Sequence, residues 1–361
     1  MLFIVNYEDR RAALAVGARI MESIRATLPA ELESVLVGDF GEKKFRVSQI
    51  LKWVFERRAE SWDDMTNLSK SLRDRLSHHY ALPPFPEPEQ HVAKDGTNKL
   101  ACRLSDGSIV ESVLIPTEDR LTLCVSSQVG CKFGCAFCRT ATLGFMRHLT
   151  AEEIITQVMV AQKVAEPRRI TNLVFMGMGE PLDNYDHVVR AIKILLAPEA
   201  FDFSRRKITL SSVGHVPGLT KLAQEGLGIN LAISLHAASD ALRSEIMPAN
   251  RMWSLDELFG VLKRYPLDAR QRITFEYIII KGLNHSAHDA NLLVKRLHGI
   301  PSKVNLIGFN AFCGCRFESP SPEEIVEFQE RLLSKGVSTS IRLARGDDEL
   351  AACGQRGRRG D

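Results

Sequence analysis

Three cysteines occur within eight residues in the stretch Cys131-Lys-Phe-Gly-Cys135-Ala-Phe-Cys138. A structural zinc site normally has four protein ligands, which come as two C-x₂-C pairs or as one pair with histidines. A cubane iron–sulfur cluster needs one ligand for each iron, and cysteine is the usual donor. The C-x₃-C-x₂-C spacing therefore predicts an iron–sulfur cluster with one iron left open to another ligand. The alternatives are a zinc knuckle and a chance cluster of thiols.

The chain that follows this loop alternates between strand and helix patterns. Segments rich in β-branched residues are separated by segments with apolar residues on one helical face. Six such β/α units predict a parallel sheet, and a closed or partly closed barrel is its usual form. The predicted strands cover residues 121–126, 172–176, 207–211, 229–235, 272–280 and 304–309, with a seventh at 337–343. The predicted helices cover residues 151–164, 255–264, 287–297 and 322–333.

The chain before the barrel predicts a separate helical domain. Residues 46–58 carry apolar side chains on one helix face, and four prolines within residues 83–88 predict a linker. Residues 92–116 alternate in polarity around Asp106-Gly107, which predicts a β-hairpin. The predicted domains are an unassigned extension at 1–25, a helical domain at 26–90, a hairpin at 91–116, a barrel at 117–348 and a tail at 349–361.

The composition of the chain indicates the cellular compartment in which the protein acts. The chain has 361 residues, of which 45% are hydrophobic and 25% are charged. Eight cysteines in a chain of this length favour a reducing compartment, and no apolar run reaches the ~18 residues of a membrane span. The short apolar start is followed at once by charged residues, which is wrong for a secretory signal. The sequence therefore predicts a cytoplasmic protein.

The net charge of +3 does not indicate a globally basic protein, but the positive charge is uneven. Residues 41–80 hold nine Lys and Arg against six Asp and Glu, and residues 205–207 and 356–359 are also rich in basic groups. Such patches bind phosphates in nucleic-acid-binding proteins. Ordinary solvated surface is the alternative for each patch taken alone.

Polar motifs follow five of the predicted strands at their carboxyl ends, where the active sites of β/α barrels lie. Gly177 and Gly179 are expected to let backbone approach a ligand, and Glu180 to accept an ammonium group. The sequence therefore predicts one site built from the five motifs. They are the cysteine loop, Gly177-Met-Gly-Glu180-Pro, Ser211-Ser212, Ser234-Leu-His236 and Asn310.

Four stretches resemble the RlmN/Cfr family of radical S-adenosylmethionine (SAM) enzymes. They are Leu123-Cys-Val-Ser-Ser-Gln-Val-Gly-Cys131, Met176-Gly-Met-Gly-Glu-Pro-Leu182, Ile233-Ser-Leu-His236 and Arg345-Gly-Asp-Asp-Glu-Leu-Ala-Ala-Cys-Gly354. The resemblance runs from about residue 30 to residue 354. It implies an α/β fold: a partial (βα)6 radical SAM barrel with a small N-terminal helical domain and a β-hairpin extension. The implied activity is methylation of carbon 2 of adenosine in 23S rRNA and tRNA.

The resemblance also implies the cofactors and the residues that bind them. One [4Fe-4S] cluster is expected on Cys131, Cys135 and Cys138, with exchangeable SAM on the open iron. The expected SAM contacts are Gly179, Glu180, Ser211, Ser234, Leu235, His236 and Asn310.

Three further residues match the family's catalytic positions. One SAM molecule is expected to methylate Cys353, and the radical from a second to remove a hydrogen from that methyl group, so that it adds to the base as a thioether. Cys124 is expected to help remove the ring proton and to release the product by forming a disulfide with Cys353. Glu111 matches the proposed proton acceptor. The alternatives are inert buried thiols and, for Glu111, a member of an ion pair.

The implied partners are 23S rRNA, tRNA and a one-electron reductant such as flavodoxin or ferredoxin, with no membrane and a monomeric chain. RNA is expected on the basic N-terminal helices and on an arginine-rich barrel rim, with the target adenine leaving its stack.

Two alternatives of function remain open, and one motif departs from the family. A Cfr-like enzyme would methylate carbon 8 and give antibiotic resistance, and a non-catalytic RNA-binding factor would use the cluster structurally. Cys313 and Cys315, in Asn310-Ala-Phe-Cys-Gly-Cys315, stand where the family usually has Asn-Pro-Phe-Pro-Gly. We expect no role for them, and the alternatives are ligation of a metal and a misrouted disulfide.

Overall fold

The computed structural model describes residues 21–312, 314–342, 346 and 354–355, and these divide into two compact units. Unit 1 holds the described part of Met1–Glu87 with Leu149–Val164 and Asp186–Ser204. Unit 2 holds Pro88–His148, Ala165–Tyr185 and the described part of Arg205–Asp361.

The described strands and helices follow the alternation that the sequence predicts. The strands are β1 Glu22–Ser23, β2 Tyr80–Ala81, β3 Glu89–Val92, β4 Asn98–Arg103, β5 Ile109–Pro116, β6 Leu121–Cys124, β7 Gln128–Gly130, β8 Phe145–His148, β9 Asn172–Phe175, β10 Ile208–Ser212, β11 Asn230–Ser234, β12 Ile273–Ile279, β13 Ser302–Gly308 and β14 Thr339–Arg342. The helices are α1 Pro29–Glu33, α2 Phe45–Leu51, α3 Lys70–His79, α4 Arg139–Thr142, α5 Ala151–Ala165, α6 Tyr185–Leu196, α7 Val216–Leu222, α8 Asp240–Ile246, α9 Leu255–Leu262, α10 Ala287–Leu297 and α11 Pro322–Leu333. Short 3₁₀ turns cover Ile24–Ala26, Trp62–Asp64, Arg205–Lys207 and Pro248–Arg251.

Unit 1 is helical, as the sequence predicts. Helix α2 buries the predicted apolar face and continues as a π-helix over Lys52–Glu56, so the predicted helix at 46–58 is present with a change of winding. Helix α3 begins at Ser69, whose hydroxyl accepts a hydrogen bond from the Leu72 amide at 3.2 Å. This cap satisfies one of the amides that a helix start leaves unpaired. Most of α5 and α6 belongs to unit 1, although both helices stand between strands of unit 2 in the sequence.

Unit 2 is built on one sheet of ten described strands, in the order β14-β13-β12-β11-β10-β9-β6-β5-β4-β3. All neighbours from β6 to β14 are parallel, which is the arrangement that alternating strands and helices produce. The carboxyl ends of these strands therefore lie at one edge of the sheet. This confirms the predicted barrel strands, including the seventh.

The predicted hairpin is present and extends the same sheet. Strands β4 and β5 pair antiparallel, and β5 pairs antiparallel with β6, which is the first parallel strand. A tight turn connects β5 to β6, and in this turn the Thr117 amide donates to the Arg120 carbonyl at 2.8 Å. The hairpin thus places Val113 next to Cys124 in register.

Within the described residues, no helix is long and apolar enough to cross a membrane.

Candidate functional site

The cysteine loop lies directly after the short strand β7 and is held by backbone hydrogen bonds on both sides. The Cys131 amide donates to the Gly144 carbonyl at 2.9 Å, and the Ala136 amide donates to the Ile246 carbonyl at 2.9 Å. Gly130 has φ +76°, and a Cβ there would lie 1.8 Å from the Gly144 oxygen. Only glycine allows the loop to leave the strand along this path.

The three cysteines of the loop line one cavity of about 900 Å³, a volume that includes solvent at its mouth. Burial raises the pKa of Cys131 to about 12, with a further contribution from Cys138. Burial and the two neighbouring thiols raise the pKa of Cys135 well above its ordinary value. Thiolates at these positions need nearby positive charge, and the iron ions of a cluster supply it, so the donor set fits a cluster.

Within the described residues, no group of three or more His, Cys, Asp or Glu side chains is arranged to hold a metal ion. The assignment of the cysteines to a cluster therefore rests on their spacing, on their donor chemistry and on the cavity that they share.

The Gly177–Pro181 turn follows β9 and packs against the segment 125–128. A Cβ on Gly177 would lie 2.5 Å from the Val125 carbonyl, and one on Gly179 would lie 2.4 Å from the Cβ of Gln128. These glycines are needed because the chain itself occupies the space beside them. The sequence predicts that these glycines make room for a ligand, but it does not predict that the segment 125–128 packs against them.

Glu180 is 2% exposed and lines the cavity. Its two oxygens accept backbone hydrogen bonds, one from the Val213 amide at 2.8 Å and one from the Leu182 amide at 3.1 Å. Burial raises its pKa to about 7, against the lowering effect of these donors. A cationic ligand beside the carboxyl would favour its charged form.

His236 also lines the cavity, with its backbone in the left-handed region at φ +59°. Its Nδ1 accepts a hydrogen bond from the Ile278 amide at 3.0 Å, so the ring proton of the neutral form is on Nε2. Burial, with a contribution from Arg243, lowers its pKa to about 3. The Asn284 side chain donates to the His236 carbonyl at 2.8 Å and stabilises this backbone. The imidazole is therefore a fixed, neutral donor.

The other predicted cofactor contacts divide between the cavity and its surroundings. Ser211 and Ser234 line the cavity together with Gly179. Leu235 does not line it; the residue is fully buried and its amide donates to the Glu276 carbonyl at 3.0 Å. Asn310 follows β13 and is half-buried, and it also is not among the residues that line the cavity.

Cys124 and Glu111 are buried, and neither is among the residues that line the cavity. Cys124 forms a small buried cluster with Val113, and Met176 packs against this cluster. Because Met176 also lines the cavity, the cluster that contains Cys124 lies close to the cavity.

Cys353 and Cys313 lie outside the described residues. Gly354 and Gln355, which follow Cys353, are described, and Gly354 lines the cavity. Its carbonyl accepts a hydrogen bond from the Arg139 amide at 2.7 Å, next to the cluster loop. Cys315 has a free thiol and packs, half-buried, against the apolar cluster around Phe309.

Arg243 is a residue that the sequence did not reveal. It is 1% exposed and lies on α8, and its guanidinium donates to the Val213 carbonyl at 2.6 Å and to the Ser234 and Leu235 carbonyls at 3.1 Å. It also donates to Asn250 Oδ1 at 2.9 Å. One buried cation thus fixes the ends of two neighbouring strands that contribute to the cavity. No motif marks it, because an arginine on a short helix usually lies at the surface.

Glu276 and Arg342 are two further charged residues of the cavity lining that the sequence did not reveal. Glu276 lies within β12 and is 6% exposed, and Arg342 ends β14. Because they belong to strands rather than to loops, no glycine or serine motif marks them.

Comparison with protein families gives two matches. The model of the ribosomal RNA large subunit methyltransferase N-terminal domain matches residues 29–82, and the model of the radical SAM superfamily matches residues 125–292. The first match covers most of the helical domain that the sequence predicts, and the second covers the cysteine loop and most of the barrel.

Individual proteins are similar over nearly the whole chain. The dual-specificity RNA methyltransferase RlmN of Syntrophobacter fumaroxidans (strain DSM 10017 / MPOB) is 48% identical over 330 residues, which are 91% of this chain and 96% of that protein. RlmN of Geobacter sulfurreducens (strain ATCC 51573 / DSM 12127 / PCA) is 46% identical over 90% of this chain and 89% of its own. The crystal structure of a radical SAM methyltransferase from Sphaerobacter thermophilus superposes with a TM-score of 0.86 at 40% identity, covering 92% of this chain and 98% of that one.

Proposed function

The chain belongs to the RlmN family of radical SAM methyltransferases, and from this premise we propose that it methylates carbon 2 of adenosine in 23S rRNA and tRNA. The observation that carries the proposal is the shared cavity. Three cysteine thiols, a carboxyl held by amides and the ends of two parallel strands line it together. A binding protein needs no such combination.

Cys131, Cys135 and Cys138 hold the [4Fe-4S] cluster in this proposal, and Glu180, Ser211, Ser234 and His236 contact SAM. When bound, the cluster and SAM supply one-electron cleavage of a carbon–sulfur bond, which makes a carbon radical available. The carboxyl of Glu180 accepts the ammonium group of SAM, because its oxygens are already aimed by two amides. Gly179 contributes to the same site from the lining of the cavity, and Leu235 and Asn310 support the site from outside that lining.

Cys353 receives the methyl group and carries it to the base, and Cys124 resolves the resulting thioether by forming a disulfide with Cys353. Glu111 accepts the ring proton. Two features support the roles of the two cysteines: Gly354, next to Cys353, lines the cavity, and Met176, which also lines it, packs against the cluster that contains Cys124.

The helical domain binds the phosphates of the RNA, and a reductant such as flavodoxin or ferredoxin supplies single electrons. The basic residues of 41–80 support the first assignment, because phosphate contacts dominate affinity for RNA. We propose a monomer that acts in the cytoplasm.

The experiment uses anaerobically reconstituted protein with SAM, a reductant and an rRNA fragment, followed by mass spectrometry of the digested RNA. Wild type should give 2-methyladenosine, and 8-methyladenosine would support the Cfr-like alternative. Cys353→Ala should still cleave SAM slowly but give no methylated base, and Cys315→Ala is the matched thiol control with wild-type product. Methylation by Cys353→Ala would contradict the methyl-cysteine step. If the wild type does not cleave SAM, the result contradicts the methyltransferase proposal and supports the alternative of a non-catalytic RNA-binding factor with a structural cluster.

A further inference from the structure

The carboxyl of Glu276 is held by a hydrogen-bond relay across three neighbouring strands. Asn305 on β13 donates from its side chain to Glu276 Oε2 at 2.8 Å, and Ser340 on β14 donates to Asn305 Oδ1 at 3.2 Å. Glu276 pairs with Asn305 in register, and Asn305 pairs with Ser340. The relay therefore fixes one oxygen of the carboxyl in a set position.

The second oxygen of Glu276 has no hydrogen-bond partner in the part of the chain that the structure describes. Burial raises the pKa of Glu276, and Arg342 and Asn305 oppose this shift. This second oxygen is not fully buried, so it can accept a hydrogen bond from a ligand in the cavity. Glu276 and Arg342 both line the cavity, so they offer a ligand an acceptor and a donor within the same space.

The position of Arg342 shows which part of the cavity the pair faces. The Nη1 of Arg342 lies 3.9 Å from the Sδ of Met176, and Met176 packs against the cluster that contains Cys124. Glu276 itself pairs in register with Ser234, one of the proposed SAM contacts. Through Arg342, the pair also reaches the part of the cavity next to Met176 and Cys124, where the target base is expected.

We propose that Glu276 and Arg342 recognise the target adenine of the RNA, the carboxylate accepting from the 6-amino group and the guanidinium donating to an adjacent ring nitrogen. This inference rests on the proposed function and extends it to base selection. Adenine carries a donor at position 6 beside an acceptor nitrogen, whereas guanine carries an acceptor oxygen there. Glu276 thus accepts adenine and repels guanine.

The test compares two RNA hairpins that differ only at the target position, which holds adenosine or purine riboside, the analogue without the 6-amino group. Loss of a hydrogen bond to a charged group should lower kcat/KM at least about tenfold for the wild type. In Glu276→Met, which is close in volume but has no acceptor, the two hairpins should react at nearly equal rates. In Glu276→Gln, whose amide oxygen still accepts, most of the discrimination should return.

Two binding measurements complement the rates. Fluorescence anisotropy without reductant should show tighter binding of the adenosine hairpin by wild type and equal binding of both hairpins by Glu276→Met. The affinity for SAM should be the same in both proteins. As a control at a proposed SAM contact that does not pair with Glu276, Ser211→Ala should weaken SAM binding and keep the discrimination between hairpins.

Three results would overturn the inference. The first is a wild-type enzyme that uses both hairpins equally, and the second is undiminished discrimination by Glu276→Met. The third is weaker SAM binding in Glu276→Met with RNA discrimination unchanged, which would assign the pair to the adenosine of the cofactor. A wild type that methylates neither hairpin would instead count against the proposed function, so the two failures are distinguishable.

Discussion

The cavity of unit 2 has a loop side and a strand side that are held in different ways. The loop side consists of the cysteine loop, Glu180 and His236, and its polar side chains are fixed by backbone amides. The strand side consists of Glu276, Arg342 and their apolar strand neighbours, and Glu276 is fixed by the side chains of adjacent strands. The orientation of a side chain that is held by backbone amides depends on the geometry of the loop. The orientation of a side chain that is held by other side chains depends on which residues stand opposite each other in the sheet.

This difference explains where each kind of chemistry lies. Loops that follow parallel strands gather amide donors, which suit a charged cofactor. Strand interiors offer rigid side chains at fixed spacing, which suit recognition of a planar base. Mutations on the two sides should therefore have separable effects on cofactor binding and on RNA selection.

The largest effect is expected from Cys135→Ala, which removes one of the three thiols of the loop side. A cluster with two protein ligands should not be retained, so iron content, absorbance near 400 nm and methylation should all fall to background. Cys102→Ala is the matched control, since Cys102 is a buried free cysteine on β4 outside the cavity lining. Full iron content in Cys135→Ala would remove that residue from the ligand set.

The next largest effect is expected from Arg243→Met, which leaves three buried carbonyls without their donor. The free energy of unfolding should fall by about 3–5 kcal/mol, and the affinity for SAM by about tenfold. Urea denaturation and equilibrium binding measure the two effects. Arg316→Ala is the surface control and should cost under about 1 kcal/mol, because its ion pair with Glu245 is exposed. Unchanged SAM affinity in a folded Arg243→Met would contradict the positioning role.

A smaller effect is expected from Glu180→Gln in protein without cluster or SAM. Burial raises the pKa of Glu180 from 4.5 to about 7, so between these pH values the folded state holds more protons than the unfolded state. The free energy of unfolding contributed by this group therefore falls as pH rises. Glu180→Gln should gain up to about 3 kcal/mol relative to wild type between pH 4.5 and 7.

Denaturant titrations of both proteins across this pH range provide the check. His236, whose pKa is lowered to about 3, destabilises both proteins as pH falls below 6.5, and this effect cancels in the difference. A difference in unfolding free energy that stays constant with pH would show that Glu180 is already ionised in the folded state.

The smallest effect is expected from Ser340→Ala on the strand side. It removes the hydroxyl that donates to Asn305 and should cost about 1 kcal/mol or less, because the bond is exposed. Discrimination between adenosine and purine riboside hairpins should weaken slightly, with no change in SAM affinity. A change in SAM affinity instead would mean that the two sides are not separable.

The sequence predicted the loop side far better than the strand side. The cysteine spacing, the turn at Gly177–Pro181 and His236 stand out because each combines unusual residue types at a strand end. Glu276 is a single carboxylate in an apolar run, and its orientation depends on Asn305 and Ser340. Asn305 follows Glu276 by 29 residues in the sequence, and Ser340 follows Asn305 by 35 residues. Hydrogen bonds between side chains so distant in sequence depend on the register of the strands in the folded sheet, and they leave no local sequence pattern.

The fold shows the same division between local and distant features. Strand and helix alternation predicted the parallel sheet, and Asp106-Gly107 predicted the hairpin turn. The continuation of the hairpin into the barrel sheet through β5 and β6, and the membership of α5 and α6 in unit 1, depend on distant packing. The roles of Cys353, Cys124 and Glu111 remain predictions, and Cys353 lies outside the described residues.

Electron paramagnetic resonance of the reduced, reconstituted protein, with and without SAM, decides whether the three cysteines of the loop carry a radical SAM cluster. We expect the signal of one reduced [4Fe-4S] cluster, with g values that shift when SAM is added, because three cysteine ligands leave one iron open. A signal that does not respond to SAM, or protein that binds zinc in place of iron, would contradict a radical SAM site on Cys131, Cys135 and Cys138.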